Sequence, residues 1–103
     1  MFTVLTTEAY RAWFAQLRDR VASIRITAKL KRVEQGNLGD AKPVGNGVSE
    51  LRVDHGPGYR LYFTRRGLEV IILLCGGDKS TQARDIETAH ELAARLTHRL
   101  NED

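Results

Sequence analysis

The most telling features of the sequence are the things it lacks. Its 103 residues include one cysteine, Cys75, so no internal disulfide can form. A lone thiol inside the apolar run "VIILLC" (70–75) reads as a buried side chain in a reducing cytosol. No apolar run reaches the roughly 18 residues that span a bilayer. The start "MFTVLTTEAYRAWF" lacks the basic region and apolar stretch of a secretory signal. A cytoplasmic protein with no membrane partner is the expectation. The three histidines give no metal site: His55 falls on a turn, and His90 and His98 sit eight residues apart on one helix, too far to share a turn. No metal or small-molecule cofactor is expected. There is no nucleophile elbow. There is also no Walker loop, because "GGDKSTQ" (76–82) has adjacent glycines and an aspartate before its lysine. Hydrolysis of ATP is set aside on that spacing.

What is present is a modest basic excess, 16 lysines and arginines against 13 acids, for a net charge of +3. That sign favours anionic partners, nucleic acid first. "FTVLT" (2–6) alternates as a strand. In "TEAYRAWFAQL", Tyr10, Trp13, Phe14 and Leu17 follow helical spacing, with Thr7 as cap, and their aromatic stripe reads as core. A second helix runs from the cap Asp19 to the stop Gly36. Val21, Ile24, Ile26, Ala28, Leu30 and Val33 give it a broad apolar face, and Arg25, Lys29 and Arg32 give it a basic ridge. That ridge is either a solvated face or a contact for RNA.

Residues 36–47 read as a long loop. Three strands follow at 48–54, 59–64 and 68–75, with links short enough to make antiparallel neighbours. The third, apolar throughout, is expected to be central. "GGDKSTQ" reads as the turn into the last helix, with glycines permitting the bend and Asp78 or Ser80 capping. That helix runs from about Thr81 to Leu100 and docks through Ile86, Ala89, Ala93, Leu96 and Leu100. The tail "NED" is expected to fray. The order β-α-α-β-β-β-α describes one α+β domain over residues 1–103, a small, mostly antiparallel sheet packed by helices.

Strand parity is the most informative pattern. Arg52, Arg60 and Tyr62 fall on the face opposite Leu51, Val53, Leu61 and Phe63. Two guanidiniums and a phenol suit a phosphodiester. Glu50 and Asp54 share that face, so cross-strand ion pairing is the competing reading. His55, at the hairpin tip, is either a solvated turn residue or the one nearby candidate base. Lys79, beside the same face at the strand end, is a further cation for an RNA phosphate.

The marks "ELR", "GPGYRLYF", an apolar strand ending in "GGDKSTQ", and "DIETAHELA" together resemble the phage-type addiction module killer proteins of the RelE/ParE toxin superfamily, also called HigB-like. The resemblance covers nearly the whole chain. It implies the RelE/ParE-like fold and a cytoplasmic toxin of a bacterial type II toxin–antitoxin system. It also implies a cognate helix-turn-helix antitoxin as partner, and a metal-independent endoribonuclease that cuts mRNA on the ribosome. In that implied site Arg52 and Arg60 hold the phosphate, Tyr62 stacks on a base or relays a proton, and His55 is the base. Lys79 adds a further cation beside that face, and the basic ridge Arg25, Lys29 and Arg32, read from helical spacing, is the other candidate RNA contact. The chain departs from several ribonuclease relatives in having no histidine or tyrosine close to that face near its C-terminus. Some relatives poison DNA gyrase instead, and an inactive antitoxin-binding relative is a third reading.

Overall fold

The structure is a computed structural model that describes the backbone of residues 1–101 and the side chains of residues 1–96. The expected roles of His98 and Leu100, and the tail beyond residue 101, lie outside the described residues. The elements are β1 (Thr3–Thr6), α1 (Glu8–Ala15), α2 (Arg20–Glu34), β2 (Lys42–Gly45), β3 (Val48–Val53), β4 (Tyr59–Arg66), β5 (Val70–Asp78), a 3-10 turn (Lys79–Thr81) and α3 (Gln82–Asn101). The five strands form one sheet in the order β1-β5-β4-β3-β2. Only β1 runs parallel to its neighbour, β5. The α+β class is as expected, with one strand more.

Local chemistry sets the helix ends. The Thr7 hydroxyl accepts from the Tyr10 N–H at 3.1 Å and donates to the Leu74 carbonyl at 2.6 Å, so one side chain both starts α1 and ties it to β5. Asp19 Oδ1 accepts from the amides of Val21 and Ala22 at 3.0 and 3.2 Å and starts α2. Gly36, at φ +96°, ends it. The Gly36 amide bonds to Val33 and the Asn37 amide to Arg32, at 2.8 and 2.9 Å, a Schellman closure.

The extra strand corrects the expectation of an unbroken loop over 36–47. Asn46 and Gly47 both take positive φ, the geometry of a two-residue hairpin turn joining β2 to β3. Strand β2 is short, carries Pro43, and pairs with β3 only as far as Glu50, with a register shift. Residues 51–53 therefore form an open sheet edge.

The sheet has two covered faces. Tyr10, Ala22, Ile26 and Val33 of α1 and α2 pack on Leu51, Val53, Tyr59, Leu61, Phe63, Ile71 and Leu73. Ala89 and Ala93 of α3 pack on Val48, Tyr62, Ile72, Leu74 and Cys75. Strand β5 supplies both faces, as a central strand must. A bulge lies in it, since Tyr62 pairs with Cys75 but Phe63 with Leu73. The unpaired Leu74 shares a face with Cys75 and reverses the alternation beyond it.

That reversal corrects the reading of "GGDKSTQ". Gly76 and Gly77 belong to β5 and do not bend the chain. They are glycines because side chains from opposite layers fill their Cβ positions. The Trp13 indole of α1 lies against Gly76, and the Asp85 carboxylate of α3 lies against Gly77. The turn begins only at Asp78, whose carboxylate accepts from the Ser80 N–H at 2.8 Å and caps the 3-10 turn, not α3 itself as expected.

Candidate functional site

The register aligns the α3 face in two rows. Arg52 stands opposite Arg60, and Arg60 opposite Gly77; Glu50 stands opposite Tyr62, and Tyr62 opposite Cys75. Two like charges directly across a strand pair repel, so a counter-charge is required between them. Glu50 provides it. Its Oε1 lies 3.3 Å from Arg52 Nε and 3.5 Å from Arg60 Nε, and its Oε2 accepts from Gln82 Nε2 at 2.7 Å. The Arg60 contact is an ion pair without hydrogen-bond alignment. The Glu50 side chain is 1% exposed, Arg60 11% and Arg52 40%. One buried carboxylate thus anchors both guanidiniums, and Arg52 is the one presented to solvent. The ion-pairing reading and the phosphate-binding reading meet in the same residues.

Tyr62 differs from its expected role. Its ring is completely buried beneath α3, so no face is open for a base to stack on. Burial, and then the Glu50 charge, push its phenol above the usual range. The hydroxyl lies beside that carboxylate but makes no hydrogen bond of normal geometry. A phenol so held is a poor proton relay. Parity placed Tyr62 on the correct face. It carried no information about what covers that face.

The basic ridge of α2 meets the sheet arginines. Arg25, Ala28, Lys29 and Arg32 line one side of an open groove of about 550 Å³, and Arg52, Val53, Asp54 and Arg60 line the other, with Asp40 at the end. Five cations therefore face two carboxylates. Lys29 is held by Asp40 at 3.7 Å. The open edge at residues 51–53 is what allows a helix on one layer and arginines on the other to border one space.

Lys79 is exposed on the 3-10 turn. A Cβ on Gly58 would lie 3.6 Å from Lys79 Cβ and 3.7 Å from Arg60 Nη1. Lys79 thus flanks the same glycine as the groove residue Arg60.

His55 lies beside the groove residue Asp54 in the chain. Its Nε2 is 2.9 Å from Asp19 Oδ2. The His55 hydrogen bond, then the Ala22 amide, hold the Asp19 carboxyl below its ordinary value. The cap of α2 therefore also fixes the β3–β4 hairpin tip, a contact across 36 residues that no local pattern announces. His90 is spent on structure: its Nε2 lies 3.0 Å from the Val44 carbonyl and pins β2 to α3.

Cys75 is buried, and burial followed by the Asp85 charge raises its thiol to about 12, which makes it inert at neutral pH. Among the described residues no group of three His, Cys, Asp or Glu side chains is placed to hold a metal. No helix among them is long and apolar enough to cross a membrane. Glu50 was legible as a charge on the arginine face, whereas its partner Gln82 had no signal. What remains is a cationic groove suited to a chain of phosphates.

Comparison with known proteins shows one family. A family model described as phage derived protein Gp49-like (DUF891) matches residues 9–96. That span includes α1 from its second residue, all of α2, the groove and most of α3. A curated protein of Haemophilus influenzae, described as an uncharacterized protein, is 45% identical over 93 residues, covering 90% of this chain and 94% of its own length.

Proposed function

The chain belongs to the phage-derived Gp49-like family, an addiction-module toxin family related to the RelE/ParE-type toxins, and on that premise we propose a HigB-like toxin that cuts mRNA on the ribosome. Family membership points to an antitoxin as its partner. The whole chain would act as one toxin domain in the cytoplasm. The observation that carries the reading is the groove, where Arg25, Lys29 and Arg32 face Arg52 and Arg60 across a space open to solvent.

Single-stranded RNA would lie along it, with phosphates against the α2 ridge. The scissile phosphate would sit at Arg52, supported by Arg60 and approached by Lys79. The 2′-hydroxyl attacks the adjacent phosphorus and the bond to the 5′-oxygen breaks. The products are a 2′,3′-cyclic phosphate and a 5′-hydroxyl. Cations stabilise the charge that builds on the phosphoryl oxygens. His55 is the base for the 2′-proton. Asp19 accepts from Nε2–H and so leaves the Nδ1 lone pair to take it. A proton from solvent serves the leaving oxygen.

Induced expression without antitoxin, with RNA ends mapped in the arrested cells, tests the claim. Cuts within translated frames are expected. Growth arrest with intact transcripts would overturn cleavage. One observation favours a second reading in that event: Tyr62 is buried and the groove carries cations without a phenol. A protein that binds a target such as DNA gyrase without cutting RNA then fits better, and it predicts a DNA-damage response with translation spared.

A further inference from the structure

Helix α2 has a second exposed side. Ile24 is 63% exposed and Val21 49%, although both belong to the apolar pattern of the helix and were expected in its core-facing stripe. Ile24 lines a groove of about 520 Å³ with Phe14 of α1, Ala28, and the small polar residues Ser23 and Thr27. Arg20 and Lys31 close its two ends, and no acidic residue lines it. Among the described residues neither cation has an ion-pair partner. They stand 11 positions apart on one helix, about 16 Å at 1.5 Å per residue.

An apolar trough with a cation at each end, three helical turns apart, matches one kind of occupant. We propose that it seats an acidic amphipathic helix of the antitoxin, its apolar side on Phe14, Ile24 and Ala28 and its carboxylates on Arg20 and Lys31. This rests on the toxin–antitoxin reading above. A second copy of the chain fits poorly, because a two-fold contact sets a patch against itself and would bring Arg20 and Lys31 against like charge. RNA alone has no apolar stripe to offer Ile24. Ala28 lines both grooves, so the docked helix would lie about one helix diameter, ~10 Å, from the cationic ridge. That is slightly beyond the screening length, about 8 Å at physiological salt, so the effect is partial. Its carboxylates would weaken the pull of the ridge on RNA without entering the RNA groove.

The test uses the full chain and the purified product of the reading frame next to its own. Wild type is expected to bind it. Ile24→Glu should weaken binding on the order of thirtyfold or more, as a lost hot spot does. The double variant Arg20→Glu/Lys31→Glu should do the same. Changing the partner's acids to lysine should then restore binding to the double variant and not to Ile24→Glu. All these side chains lie outside the core, and an unchanged melting temperature checks the fold. If wild type binds and both variants bind within threefold of it, the groove is not the docking site and the toxin reading stands. If the neighbouring product does not bind wild type, the antitoxin reading falls as well. If antitoxin affinity is untouched but Ile24→Glu abolishes self-association or binding to anionic vesicles, the groove belongs to that other partner and the proposal is overturned.

Discussion

On the sheet face covered by α1 and α2, Leu51, Leu61, Phe63, Ile71 and Leu73 meet an aromatic stripe and the apolar side of α2. On the face covered by α3, the apolar residues share their space with Glu50, Arg60 and Asp85, the three buried charged residues among those described. The first face needs only shape and apolar area. The second needs each charge answered: Glu50 by Arg52, Arg60 and Gln82, and Asp85 by the Thr81 hydroxyl. The difference marks the face that presents charge. A charge that is costly to bury persists where it presents something, and here Glu50 presents two guanidiniums to the groove.

The largest expected effect tests that claim directly. Glu50→Ala leaves Arg60 buried without a counter-charge beside a second arginine. Breaking a buried pair in this way costs about 3–5 kcal/mol, read from urea unfolding. A loss under about 1 kcal/mol would mean that Arg60 escapes to solvent and that the contrast between the faces is superficial. Leu61→Ala on the other face comes next, at about 2–5 kcal/mol for a fully buried leucine. The two variants should separate in function. In the folded fraction Leu61→Ala should bind a single-stranded RNA oligonucleotide as wild type does, while Glu50→Ala should bind with altered affinity because its arginines have lost their anchor.

The two faces were not equally legible in the sequence. Local rules served the first well, since Thr7, Asp19 and Gly36 are the residues that caps and stops require, and the spacing of Tyr10, Trp13, Phe14 and Leu17 is that of a buried stripe. The parity of β3 and β4 placed Arg52, Arg60 and Tyr62 correctly together. What parity lacked was the third layer. Only the path of α3 shows that Tyr62 is covered and Arg52 is not. Gly76 and Gly77 look like a turn because their reason is remote, in Trp13 and Asp85. Strand β2 was missed because Pro43 and Gly45 argue against a strand, although Asn46-Gly47 is a hairpin signal. Val21 and Ile24 were counted with the core because an amphipathic pattern does not reveal how wide a face its neighbours cover.

Arg52→Ala sharpens the comparison from the surface side. Its side chain is 40% exposed, so its pairing with Glu50 contributes little, about 0–1 kcal/mol. Its loss should still remove the most accessible cation at the proposed scissile phosphate. Stability near wild type with toxicity lost is the expected outcome, measured by melting temperature and by colony formation on induction. Unchanged toxicity would move the reaction away from this arginine.

The smallest effect separates the faces by pH. Among the described residues the α1/α2 face buries no charged side chain, so Leu61→Ala should cost the same at pH 7 and at pH 4. Asp19 behaves otherwise. The His55 hydrogen bond, then the Ala22 amide, lower its pKa below 3.8 in the folded chain. Above the unfolded value it is ionised in both states and its stabilising contacts are fully present. As pH falls below that value the unfolded chain takes up the proton first, and the contribution drains away until the folded carboxyl also titrates. Asparagine still caps a helix but carries no charge for His55. The stability gap between wild type and Asp19→Asn should therefore be widest near neutrality and close as pH falls through the folded pKa, while the Leu61→Ala gap stays constant. A gap that stays constant as pH falls through the folded pKa would show that the Asp19–His55 contact does not depend on the ionised carboxylate, and the hairpin tip would then be held by packing alone.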